Sequence, residues 1–358
     1  MPQSQSFMNL PESFLLLPRP NSSIFPSIVR RNQLLLVRNL MEIKTTLPNI
    51  TQLQNFISKN LKTKSKQILQ AVQQVDVSTP IRCVAQNLFP PEILLKTAIP
   101  TFQAAMQQSV KVGPKQTIVY QDHIEQNQQT KHPFTALFNN GIKLSTFDSN
   151  PLAMDEAHPD KSGNAVSTGG KPIDEWVRSL QQAGEIIAAT LPQWWQELPL
   201  SLQRIVPVGF NEKMHLSASY QEAIGLAYLS LHPDPLIMAE AIIHETQHNK
   251  LNVLFWLDSV LYNGNTEWTK SPVRTDMRPL KGVLLAAHAF VPVAAMHAQL
   301  LAQQHPISQR HHFTERRHQV LESNTKALTT LREKAKPTKM GEKILEGLFA
   351  LHAATCAI

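Results

Sequence analysis

The stretch DPLIMAEAIIHETQHNKLNVLF, residues 234–255, decides how the rest of this chain is read. Asp234 and Pro235 form a helix start: an Asp side chain accepts from the first free N–H groups, and proline suits the first helical position. Within the helix so begun, His244-Glu245-Thr246-Gln247-His248 fits the pattern H-E-x-x-H. Residues four apart on an α-helix differ by about 40° around its axis, so both imidazoles project to one side and can hold one ion. Glu245 stands beside that face, placed to bond a metal-bound water or a reacting group. Leu251 and Phe255 continue the histidine face and would bury an ion against the core. Glu240, one turn upstream, is placed to bond His244 from behind. The bland alternative is a pair of histidines satisfied in a core; the capped helix following a strand favours the metal.

Working outward, QRIVPVGF and AIGLAYLSLH before the helix read as strands, and the second is a candidate to pair with an extended peptide. IDEWVRSLQQAGEIIAATLPQWWQEL upstream reads as helix, with Trp176, Leu180, Ala183 and Ile187 as its apolar stripe. Residues 139–171 are rich in Gly, Ser, Asp, Asn and Pro without a period and predict a long connector. IVRRNQLLLVRNLMEI, ITQLQNFISKNLKTKSKQILQAVQQV and PPEILLKTAIPTFQAAMQQSV make the N-terminal third mainly helical. Downstream, RPLKGVLLAAHAFVPVAAMHAQLLAQQ predicts a long buried helix, bent at Pro292, and the tail from Arg316 is helical again. The expected fold is α+β, predominantly α-helical, with a small β-sheet next to the HExxH helix. Residues 1–138 form a helical N-terminal half, 139–172 a polar connector or mobile loop, and 173–358 a catalytic half packed with 1–138 as one domain.

Composition narrows the class. With 358 residues, 42% of them hydrophobic, the chain can bury a full core. Two cysteines, Cys83 and Cys356, match neither a disulfide framework nor a CxxC metal site and read as reduced thiols. The opening residues carry no basic start ahead of an apolar run and no membrane-spanning length, which points to the cytoplasm. The net charge of +7 is spread over mild clusters such as RHHFTERRH, with no nucleic-acid module, so neither nucleic acid nor membrane is an expected partner.

Two histidines do not fix a divalent ion, and the third ligand decides the chemistry. A long-motif metalloprotease would carry glycine and histidine where this chain has Leu251 and Leu254. A zinc peptidase with a distant carboxylate stays open, with Glu267 as third ligand and Glu245 as general base. His288 is the better candidate, because an imidazole in so apolar a helix would be desolvated without return. His297, nine positions on, faces the opposite side and reads as structural. Between the two helices SPVRTDMRPLKG brings Arg274 and Arg278, the residue type that grips a carboxylate through two parallel bonds.

Residues 225–300, with LIMAEAIIHETQHNKLNVLFWLD followed by SPVRTDMRPLKGVLLAAHAFVPVA, resemble the α-ketoglutarate-dependent HExxH peptide β-hydroxylases of natural-product clusters. The family's Pro-Trp-Arg and Arg-Pro stand here as Pro272-Val273-Arg274 and Arg278-Pro279, and LPESFLLL near the start looks like the family's opening. The resemblance implies oxidation: Fe(II) on His244, His248 and His288 with positions open for α-ketoglutarate and O2, Arg274 or Arg278 on the co-substrate's far carboxylate, and hydroxylation at the β-carbon of a residue in a ribosomally made precursor peptide.

Overall fold

In a computed structural model that describes residues 24–108, 133–155, 163–270 and 276–358, the described residues open with six helices. They are α1 (Ile24–Glu42), α2 (Pro48–Asn60), α3 (Ser65–Gln73), α4 (Val75–Ala85), α5 (Ile93–Lys96) and α6 (Ala98–Gln108). β1 (Phe134–Ala136) and β2 (Lys143–Ser145) follow, then α7 (Ile173–Thr190), α8 (Pro192–Glu197), β3 (Leu202–Phe210), β4 (Ser217–Ala218) and β5 (Gly225–Leu231). The HExxH helix is α9 (Pro235–Phe255); after it come β6 (Trp268–Lys270), β7 (Met277–Pro279), α10 (Leu280–Ala302), α11 (His311–Lys334) and α12 (Lys339–Cys356). The fold is α+β and predominantly helical.

Five strands form a mixed sheet in the order β1-β2-β3-β5-β4, and β6 and β7 form a separate antiparallel pair. β5 runs parallel to β3 on one side and antiparallel to β4 on the other, Ser217 opposite Leu229 and Ala218 opposite Tyr228. This bears on one expectation: within AIGLAYLSLH the strand β5 is internal to the sheet, with β3 along one side and β4 at Tyr228 and Leu229 on the other, and all seven residues of β5 are buried. The outer strand is β4.

The principal core lies between one face of the sheet and helices α7, α9, α10, α11 and α12. The predicted stripe Trp176, Leu180, Ala183 and Ile187 is fully buried in it, and α1 adds Phe25, Ile28 and Val29. The other end of α1 gives Leu36, Val37 and Leu40 to a second core with α2, α3, α4 and α6, so one helix ties the N-terminal bundle to the rest. On the opposite face of the sheet a small cluster holds Val206, Leu226 and Tyr228. Within the expected 139–172 connector, Lys143–Ser145 enter the sheet as β2, and Asp148, Asn150, Ala153 and Asn164 reach that opposite face. Tyr228 donates to Asp148 at 2.8 Å, Asn150 donates to Tyr228, and Asn164 donates to Tyr220 at 2.7 Å.

Proline inside a helix removes a donor from the carbonyl four residues earlier, and this chain answers that loss twice. Pro80 in α4 strands the carbonyl of Asp76, and Thr97 Oγ1 donates to it at 3.1 Å. The second case, at Pro292 in α10, falls beside the HExxH motif and is taken up below. α10 is long and apolar enough to cross a membrane, yet 83% of that window is buried inside the protein, which is the condition of a core helix.

Candidate metal centre

α9 starts as its sequence predicts: Asp234 accepts from the Leu236 N–H at 3.0 Å and Pro235 occupies the first turn. The helix then runs back along β5. Asn249 accepts from the Gly225 N–H and donates to the Leu226 carbonyl at 2.9 Å, which fixes the register of helix on strand. With sheet, α7 and α10 around it, α9 has almost no solvent face, and neighbours claim the buried side chains of Gln247, Asn249 and Lys250. Lys250 meets Glu197 at 3.3 Å above the rings of Phe25 and Trp194. Gln247 accepts from Trp194 Nε1 at 2.8 Å and donates to the His288 carbonyl at 3.2 Å.

That last bond is the second proline repair. Pro292 cannot donate to the carbonyl of His288, and Gln247, a middle residue of the HExxH motif, supplies the missing N–H from the adjacent helix. Gln247→Leu therefore orphans two buried groups, the Trp194 N–H and the His288 carbonyl. A loss of at least about 2 kcal/mol is expected, at roughly 1–3 for each unsatisfied group. Adding Pro292→Ala restores a donor within α10, so the double variant should lose less in urea unfolding than the two single losses sum to. Strict additivity would refute the bond's role.

His244 and His248 interrupt this sealed surface and are partly exposed. Their rings stand 4.4 Å apart, edge to face, and Phe290 of α10 covers His244 at 4.6 Å. Glu245 is buried, with one oxygen 3.9 Å from His244 Nε2. The donor atoms of His244, Glu245 and His248 all lie within 4.8 Å of one another. Glu245 Oε2 is buried and has no hydrogen-bond partner among the described residues. Burial pushes the His244 pKa well below its ordinary value, and the neighbouring His248, His215 and Arg316 push the same way, against a weaker pull from Glu240. A neutral imidazole keeps its lone pair for a cation. Two imidazoles, a buried carboxylate oxygen lacking a donor, and a protonation state without charge make a donor set that fits a divalent transition ion.

Other predicted site residues fall elsewhere. His288 is fully buried in α10, and the 4.8 Å group does not include it. Glu267, just before β6, is half exposed and pairs with Lys334 of α11 at 3.2 Å. Arg278, in β7, pairs with Asp276 at 3.2 Å. Arg274 lies outside the described residues.

Glu240 requires a correction: it does not bond His244. Its carboxylate accepts from His297 Nε2 of α10 at 2.9 Å and from Nε and Nη2 of Arg316 on α11, the Nε bonds measuring 2.9 and 3.2 Å. A buried carboxylate takes the strongest donors within reach, and two neighbouring helices present them. His297, read as structural, is accordingly the buried partner of Glu240. Arg316 and His215 were not singled out by the sequence. Only the cluster RHHFTERRH hinted at Arg316, and a glutamate on a helix destined for burial is the signal that a cation must come from somewhere else. No family model matches the chain, and none of the curated proteins matches its sequence.

Proposed function

We propose that the chain is an HExxH-dependent peptide oxygenase: His244 and His248 hold Fe(II), α-ketoglutarate and O2 are co-substrates, and the product is a peptide hydroxylated at the β-carbon of one residue. The observation that carries the metal is the group of three donors within 4.8 Å on an otherwise sealed helix. The choice of oxidation over hydrolysis rests on the resemblance of residues 225–300 to the α-ketoglutarate-dependent HExxH β-hydroxylases. Iron bound here would supply oxidation of the substrate coupled to decarboxylation of the keto acid. His288 is the proposed third imidazole, and Arg274 and Arg278 are the arginines that the resemblance offers to the co-substrate.

The chain's own residues define what surrounds that chemistry. Phe290 shields one side of His244 from water, and Gln247 locks α9 to α10 so that the histidine pair is held on a rigid support. The outer strand β4 is the proposed path for an extended peptide. Asn249 bonds at the level of Leu226, and His244, five residues earlier, stands about 7.5 Å further along. That distance is roughly two strand residues, which brings His244 level with Tyr228 and Leu229, where the outer strand β4 pairs. Backbone pairing along β4 would carry a peptide past the histidines.

A second reading has one observation in its favour. The buried, unbonded oxygen of Glu245 beside His244 stands where a zinc peptidase needs its general base. Incubating anaerobically purified protein with Fe(II), α-ketoglutarate and a candidate precursor peptide, followed by mass spectrometry, separates the two. A gain of one oxygen supports oxidation; fragments formed with zinc alone support hydrolysis. His288→Ala is expected to lose iron binding and hydroxylation together, and retention of both would remove His288 from the ligand set.

A further inference from the structure

Where the N-terminal helices meet the sheet and α9, they leave a small polar cavity. Asn32 of α1, Arg82 of α4, Gln203 of β3, Gly225 of β5 and Val253 of α9 contribute to its lining, and its volume is about 20 Å³. That is room for one occupant the size of a water molecule or a monatomic ion. Arg82 sets the character of the space. It is 3% exposed, and a buried charge is costly unless it is paired. Among the described residues it makes no ion pair, and only two of the five N–H groups of its guanidinium are used, both on uncharged oxygens. Nη2 donates to Asn32 Oδ1 at 2.8 Å and Nη1 to the Glu222 carbonyl at 3.2 Å. Nε is buried and has no hydrogen-bond partner among the described residues.

The nearby charges do not balance. Burial pushes the Arg82 pKa down to about 9, against the pull of Glu222, so the group keeps its proton at neutral pH. Glu222 acts on Lys281 as well, so one carboxylate serves two cations. The adjacent thiol, Cys83, is pushed up to about 12 by burial and stays uncharged. The lining therefore carries a positive charge that its own residues do not neutralise, beside a space of ionic size. We propose that this cavity binds one small monovalent anion of chloride size, held by the free N–H groups of Arg82, and that the anion fastens the N-terminal helices to the sheet and α9. None of these residues belongs to the metal centre, so the two readings stand or fall separately.

The test uses metal-free wild-type protein at constant ionic strength, with sodium chloride exchanged for sodium gluconate, whose anion is far too large for the cavity. The melting temperature should rise by about 1–3 °C and level off as chloride increases, because a ligand that binds only the folded state stabilises it by mass action. Crystals grown in bromide should show an anomalous peak against the Arg82 guanidinium. Asn32→Asp sets a carboxylate against Nη2, at the loss of the bond from Asn32 to the Val253 carbonyl, and its melting should no longer respond to chloride. Should that variant fail to fold, the wild-type melting and the bromide peak decide alone. A wild type indifferent to chloride, water alone in the cavity, a bromide peak only elsewhere, or a folded Asn32→Asp protein with the full chloride response overturns the proposal.

Discussion

Metal-free protein titrated anaerobically with Fe(II) or Zn(II) is expected to take up one ion and to melt higher, and His244→Ala or His248→Ala to lose both effects. An ion at a hundred times its dissociation constant stabilises the folded state by about 2.7 kcal/mol. For a chain of this length that is a few degrees in melting temperature. The two histidines are the only partly exposed positions in a run of α9 that is otherwise buried from Ala239 to Leu254. Removing one imidazole should therefore cost the apo protein little while abolishing the ion-dependent shift. A variant that keeps the full shift would show that the ion binds somewhere else. The bound fraction should also fall on acidification, as protons compete with the ion for the imidazoles; burial, first among the causes, lowers the His244 pKa and so favours its neutral form.

The largest loss of stability should come from Glu240→Ala. The substitution leaves Arg316 and His297 facing an empty site, and removing one partner of a buried ion pair costs about 3–5 kcal/mol. The pH dependence has a definite sign. Burial alone would raise the Glu240 pKa, but the bonds and charges of His297 and Arg316 prevail and hold it below its ordinary 4.5. A carboxyl group depressed in the folded state stabilises fully above its unfolded pKa, and that contribution is lost as pH falls through the folded value. Glu240→Ala should thus lie well below wild type in urea stability from pH 5 to 8, with the gap narrowing only in strong acid. A difference under about 1 kcal/mol at pH 7 would mean that the ion pair does not hold α11 against α9.

Much of the architecture was legible from local pattern. The Asp234-Pro235 start, the strands β3 and β5, the buried stripe of α7 and the apolar run of α10 depend on neighbours in sequence, whose side chains and backbone groups interact whatever the rest of the chain does. Illegible were the facts that depend on which elements touch. Whether AIGLAYLSLH was an edge strand depended on β4, two residues too short to announce themselves. Where Glu240 would find its donors depended on α11, far away in the chain.

The amino-acid sequence by itself therefore determined the chemistry on offer at α9: two imidazoles on one side of a helix with a carboxylate beside them, a consequence of the helical repeat and of nothing else. Only tertiary structure decided the company these groups keep. Gln247 repairs the backbone at Pro292, His297 and Arg316 satisfy Glu240, and Phe290 covers His244. The reason is physical: a buried polar group must find a partner within hydrogen-bond reach, and packing alone determines which one is there.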